Sequence, residues 1–283
     1  MIDRYAALLN DTLVLAVEEA KLTKSNNKVK KHYFCPHCER EVQLVYKDEQ
    51  SYFKHIPSKV NLCGENEEHA QSKRILTQAL RAVHFNAQTE VNLASGQLRA
   101  DILAALNLAF EIQCAPLNKS EFRHRHFLYG QIGVKDIWIV GKRHFLRQNI
   151  RKSQLIFFRR NNFWREYYLE IDPFKKIIRL KYNVLLEPLT NKVHFQEEKF
   201  DISAKGLKKL WHFQPSLHKY HVNPKQQRRY LQMQLVHKSL KGMQIANLLY
   251  KKRQTIDDLP PWVFNSFRRI NSPDNVSKYL NQS

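Results

Sequence analysis

Two short apolar runs, Leu98–Leu106 and Leu108–Cys114, lie on either side of Asn107, and each carries one carboxylate. Asp101 sits in Arg99-Ala-Asp-Ile-Leu103 and Glu111 in Phe110-Glu-Ile-Gln-Cys114. The runs read as two strands joined by a tight turn at Asn107. Charged residues rarely enter buried strands without a partner or a task. Glu111 and Gln113 are two apart and so share one face of their strand. A turn near Asn107 brings Asp101 alongside them. Before the hairpin, Ala70, Ile75, Leu76, Ala79, Leu80 and Val83 recur at helical spacing over 67–84. After it, Lys119–Gln131 reads as a helix that Gly133 ends, and Asp136–Val140 (DIWIV) as a buried strand. Residues 67–141 therefore read α-β-β-α-β, and the chain as an α/β (α+β) protein.

Two carboxylates converging on a hairpin make a hard-oxygen site suited to Mg²⁺ or Mn²⁺. Glu68 and His69 open the preceding helix, where another acid can reach the same ion. The competing reading has Asp101 paired with Arg99 or another base and Glu111 capping a strand edge.

The segment ahead of this core has a different character. Residues 1–31 read as a strand, Thr12–Val17, followed by a polar stretch. Residues 32–66 are rich in Cys, His and aromatics, and hold Cys35-Pro-His-Cys38, then Tyr52-Phe53-Lys54-His55, then Cys63. Cys35, Cys38, His55 and Cys63 supply a Cys₃His set for structural zinc, which would staple a segment too small to bury much core. A redox CxxC is the alternative, but no thioredoxin-like βαβ unit surrounds it. His32 is a substitute for the fourth ligand, His37 is expected to be exposed, and Cys114 to be a small buried apolar residue.

Charge is unevenly spread. The 283 residues hold 47 Lys+Arg and 26 Asp+Glu, a net of +21. The first 150 residues carry 21 basic and 16 acidic residues and the rest 26 and 10, so the second part alone nets +16. Such an asymmetry points to a polyanion, with nucleic acid ahead of an anionic membrane surface and of a merely solvated basic face. No apolar run is long enough to span a membrane, no secretory signal is evident, and a cytoplasmic protein is expected. With only 7 glycines and no GxxxxGK[ST] or GxGxxG, a Gly-rich phosphate loop is excluded.

Within the basic part, Arg143, Arg147, Arg151, Lys152, Arg159 and Arg160 are interleaved with Phe145, Phe157, Phe158, Phe163 and Trp164. This is a composition that can neutralise phosphates and stack bases. Arg228 and Arg229 form a further cluster with Lys225 and Tyr230, and Lys251–Arg253 another. Strand-like runs are expected at Leu155–Phe158, Phe163–Ile171 and Lys176–Asn183, and one helix over 225–252, closed by Pro260 and Pro261. Domain limits are drawn at 1–66, 67–150 and 151–283.

The CPHC knuckle, YFKH followed by Cys63 after seven intervening residues, EEHAQSK, RADI, FEIQ, and Arg125 and Tyr129 followed by IWIV together resemble the competence protein CoiA family. The likeness runs over about 12–141 and extends more loosely to the helix at 230–250 and to DDLPPWVF (257–264). It implies a core similar to the PD-(D/E)xK, restriction-endonuclease-like nucleases, and a place in natural transformation and recombination. Asp101 and Glu111 would then be the metal-holding acids, with the Ile112 carbonyl as a further ligand. Glu68 would be the acid of the first helix and His69 its neighbour at phosphate or metal. Arg125 and Tyr129 would face the site or the DNA backbone. Gln113 stands where that superfamily usually has Lys; it orients water or phosphate only by hydrogen bonding.

The leading expectation is a Mg²⁺- or Mn²⁺-dependent deoxyribonuclease with a zinc module and a basic DNA-binding part. Its partners would be single-stranded DNA or recombination intermediates, together with recombination proteins. The alternative is a DNA-binding recombination accessory protein with a weak or vestigial nuclease core. A zinc-stabilised protein–protein adaptor ranks last, because it leaves the basic part unexplained.

Overall fold

The computed structural model describes residues 5–10, 12–25, 31–36, 41–47, 50–55, 59–105 and 107–282, with backbone alone at 23–25, 47, 50, 55 and 59–66. The chain divides into two compact units, residues 1–64 and 65–283.

The first unit contains β1 (Ala6–Leu9), β2 (Thr12–Leu15), α1 (Ala16–Ser25), β3 (Tyr33–Phe34), β4 (Glu41–Lys47) and β5 (Gln50–His55). The expected strand at 12–17 stops at Leu15. Ala16 and Val17 instead begin α1, whose first turn carries Glu18 and Glu19, where acids favour a helix start. Among the described residues the strands are ordered β2-β1-β3-β4-β5 around Ala7, Ala16, Tyr33, Cys35, Val42 and Phe53. Buried Glu19 ties α1 to the sheet by accepting from Tyr33 Oη at 2.6 Å and Lys31 Nζ at 2.8 Å.

The helix expected over 67–84 is the later part of α2 (Lys59–Ala82). Then follow β6 (Ala87–Leu93), β7 (Leu98–Ala104), β8 (Leu108–Gln113), α3 (Lys119–Gln131) and β9 (Lys135–Val140). The hairpin, the second helix and the DIWIV strand stand where the sequence put them. Asn118 Oδ1 caps α3 by accepting from Glu121 N at 2.8 Å, and Gly133, at φ +69°, follows its end. The pattern is α-β-β-β-α-β, because β6 (AQTEVNL) adds a strand whose polar residues gave no apolar alternation. As the outermost strand beside β7 it has little to bury.

Beyond β9 come 3₁₀ segments at Lys142–His144 and Lys152–Phe157, then β10 (Arg159–Asn161), β11 (Arg165–Asp172), β12 (Ile177–Leu186) and β13 (Val193–Asp201). The run Leu155–Phe158 is thus mostly 3₁₀ helix, pinned by Gln154, and not a strand. The larger sheet runs β13-β12-β11-β9-β8-β7-β6, with β10 beside β11. β11 lies parallel to β9 at Glu170–Val140, so one sheet continues across the limit drawn at 150/151. Its strands alternate. Ile137, Ile139, Leu169 and Ile171 face a core with Leu76 and Leu80 of α2 and Leu207 and Leu210 of α4 (Ala204–Trp211). Trp138, Val140, Tyr168 and Val184 face Phe122 and Phe157.

The chain ends in α5 (Pro224–Val236), α6 (Leu240–Lys252), α7 (Trp262–Asn265) and α8 (Asn275–Leu280), packed around Leu231, Ile245, Leu249, Val263 and Val276. The single helix expected over 225–252 is two helices. Ser239 caps the second by accepting from Gly242 N at 3.0 Å. That helix closes on Arg253, at φ +52°, ahead of Pro260 and Pro261. Among the described residues no helix is long and apolar enough to cross a membrane.

Candidate active site

The two acids stand where a hairpin splits. β7 and β8 are paired at Leu103–Ala109 and Ile102–Phe110. β7 also follows β6, through Ala100–Val91, while β8 runs parallel to β9 as far as Gln113–Val140. Asp101 and Glu111 are the next residues after the last recorded β7–β8 pair, at the mouth of this fork. Asp101 Oδ2 accepts from Ile112 N at 2.8 Å, so a side chain does what a strand carbonyl would otherwise do. The same oxygen meets His69 Nε2 at 3.2 Å, and Lys73 Nζ stands 4.0 Å from Oδ1. Burial pushes the Asp101 carboxyl up. The hydrogen bond and charge of His69, the Ile112 N–H and the charge of Lys73 outweigh it and bring the carboxyl below its ordinary value.

Glu111 has the opposite balance. It is 1% exposed and is held by α3, where Arg125 Nη2 donates to Oε2 and Tyr129 Oη to Oε1. Arg125 also donates to the Arg99 carbonyl at 3.2 Å and lies over the Trp138 ring, 5.4 Å from its centroid. Burial and then the charge of Asp101 push the Glu111 carboxyl up to about 7, against the pull of Arg125 and Tyr129. The upward push from Asp101 marks the two acids as electrostatic neighbours.

Glu68 comes from α2. It is 8% exposed, and its Oε1 accepts from Lys142 N at 2.7 Å, just past the end of β9. Gly141 makes this approach possible: a Cβ there would stand 2.6 Å from Cys114 Sγ and 2.9 Å from Glu68 Oε1. Cys114 is buried, as expected of it. Gln113 Nε2 donates to the Ala115 carbonyl at 2.7 Å, which leaves its Oε1 as the end able to accept from water. Glu68 and Gln113 thus lie at the carboxyl ends of the parallel strands β8 and β9, a usual place for sites in such sheets.

Lys73 and Glu90 escaped the sequence reading. Lys73 lies four residues after His69 on α2 and therefore on the same face, which was the available signal. Lys73 and Arg99 both pair with Glu90 of β6, so Arg99 is engaged there and not with Asp101.

Asp101 and Glu111 offer the hard carboxylate oxygens that Mg²⁺ or Mn²⁺ takes. Both oxygens of Glu111 are engaged by α3, whereas Asp101 Oδ1 has Lys73 at 4.0 Å. Among the described residues no three His, Cys, Asp or Glu side chains form a ready metal cage.

Cys35 is buried at the end of β3, Cys38 and His37 lie outside the described residues, and His55 and Cys63 are described by backbone alone. His32 Nδ1 is 2.6 Å from Glu41 Oε1. Arg143, Arg147 and Arg151 line one cavity, beside exposed Lys152. Arg159 and Arg160 pair with Asp136 and Glu166 at 3.4 and 3.3 Å. Arg228 pairs with Asp257 and covers the Phe264 ring, and Arg229 lies with it on α5.

Residues 65–215, more than half of the chain, match the family model for the nuclease-like domain of competence protein CoiA. The chain belongs to the CoiA family. Neither a search of the curated proteins nor a search of the solved structures finds a match. The CoiA nuclease-like domain takes in Glu68, both fork acids, α3, the whole of the larger sheet and α4. The N-terminal cysteines and α5–α8 lie outside it.

Proposed function

We propose that this CoiA-family protein is a Mg²⁺- or Mn²⁺-dependent nuclease that cleaves DNA phosphodiesters in natural competence and recombination. Its core would be built as in the PD-(D/E)xK, restriction-endonuclease-like enzymes. The observation that carries the reading is the fork itself. Two carboxylates on adjoining strands stand near enough for one to raise the other's pKa, an arrangement that a shared cation relieves.

Asp101 and Glu111, with the Ile112 carbonyl, would hold the ion. The ion would polarise a phosphoryl oxygen and lower the pKa of bound water. Gln113 Oε1 would orient the attacking water by accepting one of its protons. Lys73 would supply beside Asp101 the positive charge that Gln113 cannot. Arg125, released from Glu111, would pair with a phosphate, for which its planar fork is suited. Glu68 would fix the backbone at Lys142, and with it the basic loop that follows. Single-stranded DNA or recombination intermediates are the proposed substrates, and other recombination proteins the proposed partners.

Zinc would hold the N-terminal unit through Cys35, Cys38, His55 and Cys63. Strand register supports this, since position 55 pairs with 42, and 42 with 33, two residues before Cys35.

One observation favours the second reading, a DNA-binding accessory protein with a weak nuclease core. Arg125 and Tyr129 already engage both oxygens of Glu111. One experiment separates the two: cleavage and binding of several DNA forms by the full-length protein under Mg²⁺ and Mn²⁺ titration, beside Asp101→Ala and Glu111→Ala. Metal-dependent cleavage lost in both variants supports the enzyme. Undiminished cleavage in both sinks the assignment, and salt-sensitive binding without cleavage selects the accessory role.

A further inference from the structure

We infer that the loop after β9 is a pocket for a terminal phosphate monoester, and that it grips the phosphorylated end of a nucleic acid strand beside Glu68. The inference rests on the nucleic-acid reading above and adds to it which part of the substrate is recognised.

A cavity of about 270 Å³ is lined by Lys142, Arg143, Arg147, Asn149, Arg151 and Gln154 among others, with no carboxylate in its wall. The backbone around it is arranged for an anion. Four successive carbonyls, which would repel one, are all taken by donors. Arg151 Nη2 donates to the Arg143 carbonyl at 2.6 Å. Tyr168 Oη donates to that of His144 at 2.9 Å, and buried Gln154 Nε2 to those of His144 and Phe145 at 3.0 Å each. Lys181 Nζ donates to the Leu146 carbonyl. Gln154 Oε1 accepts in turn from Arg151 N at 2.8 Å, and Leu146 N donates to buried Glu170 at 2.6 Å. These bonds fix the loop and leave its cationic side chains as the lining. No ion pair is recorded for Lys142, Arg147 or Arg151 among the described residues, in contrast to Arg159, Arg160 and Arg228 elsewhere in the basic part.

The density of cationic side chains in the lining favours a strand end. A terminal monoester carries up to two charges near neutral pH and has one ester link to lead out of a pocket. An internal phosphodiester carries one charge and must lead the chain out on both sides. Guanidinium groups suit the monoester by bidentate, charge-assisted hydrogen bonds. The pocket begins at Lys142, whose N–H holds Glu68, so a bound end lies at the α2 acid of the proposed site. Cleavage would then be counted from a phosphorylated end.

The test is fluorescence polarisation of the full-length protein, with Mg²⁺ and Mn²⁺ left out to prevent cleavage and no chelator added, so that structural zinc is kept. Labelled oligonucleotides of one sequence carry a 5′-phosphate, a 3′-phosphate or hydroxyls at both ends. One phosphorylated form should bind about tenfold more tightly than the hydroxyl form, and inorganic phosphate should compete away that advantage. Arg147→Gln and Lys142→Gln, with melting unchanged, should lose the preference, so that the three oligonucleotides bind alike. Equal binding of all three oligonucleotides would overturn this inference and leave the DNA reading standing. No binding to any of them would overturn both.

Discussion

Arg125 donates to Oε2 of Glu111, a carboxylate almost fully buried at the mouth of the β7–β8 fork, and Tyr129, one turn further along α3, takes the other oxygen. Even so, burial and Asp101 hold that carboxyl at about 7, above its ordinary 4.5. A carboxyl raised in the folded state contributes stability that is complete below its unfolded value and lost as pH rises through its folded value. Glu111 should therefore cost the wild type about 3 kcal/mol as pH climbs from 4.5 to beyond 7. Glu111→Gln should be flatter over that range and more stable than wild type at pH 8. Urea denaturation at pH 5, 6, 7 and 8 measures the difference; parallel profiles would show that Glu111 is not the responsible group.

Gly141 permits the contact between Glu68 and the end of β9. In Gly141→Ala the new methyl would meet Cys114 Sγ at 2.6 Å and Glu68 Oε1 at 2.9 Å, closer than such atoms pack. Overpacking of this kind costs about 1–3 kcal/mol. The variant should melt lower and lose activity with it, while Gly130→Ala, where a Cβ meets nothing within 4 Å, should not. Differential scanning fluorimetry on the two alanine variants decides the matter.

The zinc proposal makes a chemical prediction for the N-terminal unit, whose core cluster holds six buried hydrophobic residues among the described residues. Protein purified without chelator should carry stoichiometric zinc by elemental analysis. Cys35→Ser and Cys63→Ser should each lose it, and chelation should abolish strand signal from this unit, because binding and folding energies are linked in small metal sites. Full metal content in both serine variants would remove these residues from the ligand set.

The ends of α3 and the two acid-bearing strands were legible because their signals are local. Asn118 and Gly133 frame α3, and Asp101 and Glu111 interrupt otherwise apolar runs. Other features depend on distant partners. β6 is polar because it lies outermost in the sheet, and its Glu90 matters only through Lys73 of α2 and Arg99 of β7. The limit at 150/151 followed a change in composition, but the hydrogen bonds of β11 to β9 are set by a sheet that composition does not encode. Gln154 read as an ordinary polar residue in an aromatic-rich run. Its burial follows from loop carbonyls ten and nine residues earlier in the chain.

Lys73 offers the sharpest test of how a site with Gln113 works. Its ammonium is 4.0 Å from Asp101 Oδ1, and Gln113 provides no charge. If it stabilises charge developing on the phosphate, Lys73→Met should lower cleavage about a hundredfold, the usual scale for removing one electrostatic contact at a reacting centre. DNA affinity measured without Mg²⁺ or Mn²⁺ should stay within a few-fold. Lys73 also pairs with Glu90, so a structural role must be separated from a chemical one. Gln113→Lys introduced into Lys73→Met supplies the separation, because it restores a cation to the fork but leaves Glu90 without its lysine. Recovery of cleavage with no recovery of melting temperature assigns Lys73 to the chemistry. Recovery of neither, with a lowered melting temperature in both variants, assigns it to holding α2 against β6.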